Sequence, residues 1–129
     1  MTPAIRRRLG FACLAFTASL FLCAAASSHW KRVPAKDHVR ASPFASTPEA
    51  VAAGALIYKD HCEQCHRSDG MGDGRKKPPL RSDSLKSASD GDLEWFLRQG
   101  DLRHGMPSWS SLPEAQRWQL IAYLRSIQQ

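Results

Sequence analysis

The stretch Cys62-Glu63-Gln64-Cys65-His66 decides how the chain is read. On a helix end, residues i, i+3 and i+4 lie on one face, so its two thiols and its imidazole share a side. The residues before it predict such a helix. Thr47-Pro48-Glu49 supplies an N-cap residue, a Pro at the first helical position and an acid near the positive helix end. Val51, Ala55, Tyr58 and Cys62 then come at i, i+4, i+7 and i+11, one helix face.

Two more helices are predicted downstream, and no strand. One runs from about Asp90 to Gln99, with Leu93, Phe96 and Leu97 apolar and Gly100 as its stop. The other runs from about Leu112 to Ile127, with Ser111 and Glu114 at capping-box spacing and Leu120, Tyr123, Leu124 and Ile127 on its inner face. Between the first two lies Asp69 to Lys86, rich in Gly, Pro, Ser and charge, which reads as a long functional loop. The fold class is all-α, in a domain spanning 47–129. A core this small often needs a staple.

The full chain of 129 residues carries 18 Lys+Arg against 12 Asp+Glu. The excess sits at the N-terminus: from Pro48 onward there are 11 basic and 11 acidic residues. A nucleic-acid partner wants a basic face on the domain itself, so that class is excluded. Arg6, Arg7 and Arg8 precede an uncharged run of 18 residues from Leu9 to Ala26, which ends in Ala24-Ala25-Ala26. Residues 1–26 therefore read as a signal peptide, or as an uncleaved N-terminal anchor. Either fate places the rest of the chain outside the cytoplasm. Residues 27–46, with Pro34, Pro43 and scattered charges, read as a flexible tether, with Trp30 a candidate for a membrane interface.

Cys13 and Cys23 lie in the apolar run, so Cys62 and Cys65 are the thiols left for the domain. C-x-x-C-H is the attachment signature of c-type haem. Both thiols reach the two vinyl groups of one porphyrin, and His66 is carried beneath the iron as proximal ligand. Rival readings explain less. A structural zinc needs about four ligands and three are present here. A thioredoxin-like dithiol wants a βαβ setting. A Cys62–Cys65 disulfide accounts for neither His66 nor the segment around Met106. For the second axial position, Met106 in His104-Gly105-Met106-Pro107 lies 40 residues past His66, enough chain to wrap round the ring. Its thioether suits low-spin haem iron. His104 is the alternative ligand. His61 is read as polar surface, off the Cys62/Cys65/His66 face.

From about Thr47 to Ile127 the chain resembles a class I c-type cytochrome of the small bacterial kind. The resemblance rests on C-x-x-C-H, the Gly105-Met106-Pro107 segment and the flanking helices, and covers none of the first 46 residues. It implies that Gly54 and Tyr58, eight and four residues before Cys62, pack against Leu120 and Tyr123 on the last helix. It also implies that Pro78, twelve residues after His66, accepts the imidazole Nδ1–H through its carbonyl. The loop departs from the simplest pattern: it carries Arg75, Lys76, Lys77, Arg81 and Lys86 and lacks an obvious aromatic for the propionates, a role for which Trp95 and Trp109 are candidates.

The expected function is one-electron transfer outside the cytoplasm by one covalent haem c, cycling Fe(III)/Fe(II) with His/Met ligation. The chain is expected to be an electron carrier or electron-transfer subunit and not an enzyme, serving redox partner proteins of a respiratory or dehydrogenase chain. Its expected place is the periplasm or the outer face of the cytoplasmic membrane. Alternatives are a haem subunit of a membrane-bound oxidase or dehydrogenase complex, and a haem peroxidase or ligand sensor.

Overall fold

The computed structural model describes residues 30–44 and 46–128. Among them are six α-helices: α1 Ala35–His38, α2 Pro48–His61, α3 Glu63–His66, α4 Asp83–Ser87, α5 Asp90–Gln99 and α6 Glu114–Ser126. Short 3₁₀ turns lie at Trp30–Arg32 and Leu102–His104. There is no strand among the described residues; Asp101 and Met106 form an isolated bridge. The fold is all-α. The leader expected over 1–26 lies outside the described residues. Among the described residues no helix is long and apolar enough to cross a membrane.

The domain is organised by the crossing of α2 over α6, its most extensive helix contact. Helix α2 starts where its residues demand. The Thr47 hydroxyl accepts from the Ala50 amide at 3.2 Å, and Pro48 needs no partner for a missing N–H. The crossing is possible because residue 54 is glycine. A Cβ there would stand 2.0 Å from the Gln119 carbonyl oxygen and 2.8 Å from Tyr123 Cβ. One turn on, the Tyr58 and Tyr123 rings tilt together with centroids 5.1 Å apart. Leu120 is 1% exposed and Ile121 0%, each worth about 1.5–3 kcal/mol by burial. Leu93 and Leu97 of α5, with Trp118 and Leu124 of α6, complete the core.

Helix α5 has a full capping box. Ser89 Oγ accepts from the Asp92 amide at 3.0 Å, and the Asp92 carboxylate accepts from the Ser89 amide at 2.8 Å. Its stop at Gly100 matches expectation, with φ at +69°. A side chain at Gly100 would also meet the Pro107 backbone at 2.6 Å, so this glycine lets the next loop fold back onto the helix end.

Two local expectations change. Helix α6 begins at Glu114 behind Pro113, with no side-chain cap, so Ser111 and Glu114 form no capping box. The Glu114 carboxylate instead accepts from Trp118 Nε1 at 3.1 Å and pairs with Arg40. The loop expected from Asp69 to Lys86 ends in a helix, α4, whose start is capped by Ser82. It is too short to show an apolar period.

The largest change concerns the segment expected to be a flexible tether over 27–46. It carries α1, and α1 packs against α5. Asp37 is buried and accepts from Arg98 at 2.7 Å. Arg40 donates to Glu94 at 2.9 Å, and Ser89 Oγ donates to the His38 carbonyl at 2.7 Å. Gly91 makes room: a Cβ there would stand 1.9 Å from the Asp37 carbonyl oxygen. Trp30, expected at a membrane interface, meets Phe96 edge-on at 5.9 Å and donates to the Ser84 carbonyl at 3.1 Å. Charges that look like solvated punctuation in the sequence find partners 54 to 74 residues away.

Candidate functional site

Helix α2 ends at His61, and Cys62 turns the chain into the single-turn helix α3. The bonds from Cys65 N and His66 N to the Cys62 carbonyl, 3.1 and 2.8 Å, wind Cys62, Cys65 and His66 into one turn. Cys62 and Cys65 are half-buried free thiols. Burial first, then the neighbouring Cys65, pushes the Cys62 thiol up to about 11, so it is protonated at neutral pH. His66 is half-buried as well. Burial lowers its pKa, as does Lys77, against the opposing Pro78 bond and Asp73. The imidazole is thus held neutral near pH 7, the form in which it binds a metal.

His66 Nδ1 lies 3.3 Å from the Pro78 carbonyl oxygen, a long hydrogen bond. A carbonyl only accepts, so Nδ1 carries the proton and Nε2 keeps its lone pair. The chain between the two is shaped by its turns. Gly72 donates to the His66 carbonyl at 3.0 Å, at φ +60°, and a Cβ there would collide with the Lys77 carbonyl oxygen at 2.0 Å. Asp73 Oδ1 accepts from the amides of Arg75, Lys76 and Lys77 at 2.9–3.1 Å, which folds the basic end of the loop.

Two features of this region escape sequence reasoning. Arg67, directly after His66, sits at φ +63°, the sole positive-φ residue other than glycine among those described. The Tyr58 hydroxyl donates to the Arg67 carbonyl at 2.6 Å and pins that strained residue to α2. The apolar period reveals Tyr58 as a core residue, but nothing in it announces a buried hydroxyl with one fixed acceptor.

Met106 lies on a separate loop. Its backbone and that of Asp101 bond reciprocally, at 2.8 and 3.0 Å, so the intervening turn is closed on itself. Gly105 takes the left-handed conformation that this turn requires, at φ +82°. The Met106 side chain is half-buried against the core. His104 is exposed on the same turn, with Nδ1 2.7 Å from the Asp101 carboxylate. A crevice lined by Lys76, Leu102, Arg103, His104 and Gly105 separates this turn from the basic loop. His61 is exposed, as expected, but its ring leans on Trp109 at 5.0 Å. Trp109 therefore contributes packing on the loop that carries Met106.

The donor set fits one covalently held haem. Two adjacent thiols and a neutral imidazole with a free Nε2 lie on one turn. Among the described residues no three or more His, Cys, Asp or Glu are grouped so as to hold a metal ion, so the zinc reading gains no support. An all-α domain with this turn at the end of its first long helix is a c-type cytochrome carrying covalent haem c. Residues 49–124 match the family described as cytochrome c oxidase, cbb3-type, subunit III, and the chain belongs to that family. A search of the curated proteins found no match. The family defines a role in haem-based electron transfer of a respiratory chain. The match begins at residue 49, so the docked segment 30–44 lies outside it.

Proposed function

We propose that the protein is a one-electron carrier or electron-transfer subunit in which His66 and Met106 hold the haem iron from opposite faces. The observation that carries this reading is the pairing of His66 Nδ1 with the Pro78 carbonyl, which leaves Nε2 available and the imidazole oriented. When bound, haem c supplies one reversible electron at near-constant geometry. The chain supplies everything else. Cys62 and Cys65 anchor the ring by thioether bonds, so the cofactor survives repeated encounters with partners. The Pro78 carbonyl holds the His66 ring against rotation and raises its basicity. Met106 is the sixth ligand in this reading because its side chain is half-buried against the core, whereas that of His104 is 66% exposed and engaged with Asp101. A thioether at that position raises the reduction potential relative to a second imidazole.

With His66 and Met106 both holding the iron, no substrate site would be left, so the protein would pass electrons through the haem edge and would not be an enzyme by itself. Its place is the periplasm or the outer face of the cytoplasmic membrane, delivered there by the leader over 1–26. Its partners are redox proteins of a respiratory or dehydrogenase chain, and a subunit role in a membrane-bound oxidase accords with the family.

Carbon monoxide binding to the reduced protein tests the ligand set. Wild type should not bind it, Met106→Ala should, and His104→Ala should behave as wild type. Met106→His should stay six-coordinate with a lower potential. If His104→Ala opens the iron and Met106→Ala does not, the haem is bis-His. Ready binding by wild type would favour a peroxidase or ligand sensor.

A further inference from the structure

Glu94 is fully buried on α5, yet carries a carboxylate. Its Oε2 accepts from Arg40 of the N-terminal segment at 2.9 Å and lies 3.5 Å from Arg98 Nε. Its Oε1 accepts from Arg117 of α6 at 2.9 Å. A carboxylate without solvent is tolerable only when paired and hydrogen-bonded, and here three guanidinium groups from three parts of the chain surround it.

Two of these arginines also reach the loop that carries Met106. Arg117 donates to the Leu112 carbonyl. Arg98, paired through its Nη2 with Asp37, offers its own carbonyl to Ser108 Oγ at 2.6 Å. The neighbouring Leu97 carbonyl accepts from the Trp109 amide at 2.8 Å. On the C-terminal side of Met106, Leu112 is thus held by an arginine that pairs with the buried Glu94 carboxylate, while Ser108 and Trp109 bond to the last main-chain carbonyls of the helix that carries Glu94. Arg40 closes that cluster on its outer side and stacks over Trp118 at 5.2 Å.

We propose that Glu94, with Arg40 of the N-terminal segment, is a positioning centre for the Met106 loop. Residues 30–44 then act as a strap over the haem domain, not as a spacer leading to it. The inference rests on Met106 as distal ligand and adds what holds that ligand in place. Electron transfer without ligand loss requires the loop to stay put in both oxidation states, and a buried, fully paired charge resists displacement more steeply than apolar contact does.

The test uses the full-length holoprotein, with the near-infrared sulfur-to-iron charge-transfer band and carbon monoxide binding of the reduced form as readouts. Arg40→Ala should weaken the band and raise carbon monoxide binding by about tenfold or more, as removal of one partner leaves a buried charge short of compensation. Arg40→Lys should restore part of both. Arg125→Ala is the control for general destabilisation. Arg125 ties α6 to Asp90 at 2.8 Å and to the Ala88 carbonyl at 2.6 Å, away from the loop, so the band should persist there. An intact band in Arg40→Ala, or equal loss in Arg125→Ala at a matched fall in melting temperature, overturns the proposal. A wild type without the band would instead sink the Met106 assignment.

Should Arg40→Ala not fold, amide hydrogen exchange of wild type decides. The Arg40 and Trp109 amides should open with the same free energy as one unit, and independent opening overturns the proposal.

Discussion

Gly54→Ala isolates the contact on which the fold depends. On an exposed helix position, alanine is better than glycine by about 1 kcal/mol. At residue 54 the added methyl would lie 2.0 Å from the Gln119 carbonyl oxygen, 2.7 Å from its carbonyl carbon and 2.8 Å from Tyr123 Cβ. Two of these atoms are backbone, so no rotamer change relieves the clash. Ordinary contact begins near 3.4 Å, and α6 must move away from α2 by more than about 1 Å to reach it. That displacement opens the Tyr58–Tyr123 ring contact and loosens packing around Leu120. Overpacking of this kind costs typically about 1–3 kcal/mol, and a collision with backbone belongs at the upper end. After the propensity gain is subtracted, a net loss of about 2 kcal/mol remains. For a domain of this size that lowers the melting temperature by roughly 8–16 °C. Thermal unfolding of the oxidised holoprotein, followed by far-ultraviolet circular dichroism, measures it. Ala52→Gly, at an exposed position on the same helix, should cost about 1 kcal/mol, because glycine there loses only propensity. A Gly54→Ala protein as stable as wild type, or more so, would refute the close crossing.

Three further outcomes are expected. Acid-acetone extraction should leave the haem with the chain, whereas the double variant Cys62→Ala, Cys65→Ala should yield no folded holoprotein, since so small a core lacks its staple. Tyr58→Phe should cost about 1–3 kcal/mol by leaving the Arg67 carbonyl without its 2.6 Å bond, read by chemical denaturation at neutral pH. Burial raises the Tyr58 pKa above the ordinary tyrosine value. The unfolded chain therefore releases this proton first. Wild-type stability should fall as pH rises past about 10, and Tyr58→Phe should remove that part of the slope. Asp73 is shifted the other way, held below the usual carboxylate range first by the Arg75 amide and then by those of Lys77 and Lys76. The order it gives the loop is present above its unfolded pKa and is lost as pH falls through the folded value. In Asp73→Ala, the Arg75, Lys76 and Lys77 amides should exchange faster at neutral pH, with Asp73→Asn intermediate.

Much of the site is legible in the amino-acid sequence because its chemistry is encoded at short range. C-x-x-C-H places three groups on one helical turn by spacing alone. The Thr47-Pro48-Glu49 start and the Gly100 stop of the helices come from which backbone groups each residue satisfies or lacks. The resemblance to class I cytochromes singles out Gly54, Tyr58, Tyr123 and Pro78, and the tertiary structure brings Gly54 against Gln119, Tyr58 against Tyr123 and the Pro78 carbonyl to His66. What the sequence conceals depends on partners far along the chain. Asp37 and Arg40 sit in a Pro- and Ser-containing stretch without periodicity, so nothing local distinguishes them from solvated charges. Their docking is decided by Arg98 and Glu94, and by the missing side chain at Gly91. Glu94 itself comes after Leu93 as one more polar residue of an amphipathic helix. Only the convergence of Arg40, Arg98 and Arg117 makes it a buried centre, because a charge can leave water only where tertiary packing gathers its countercharges.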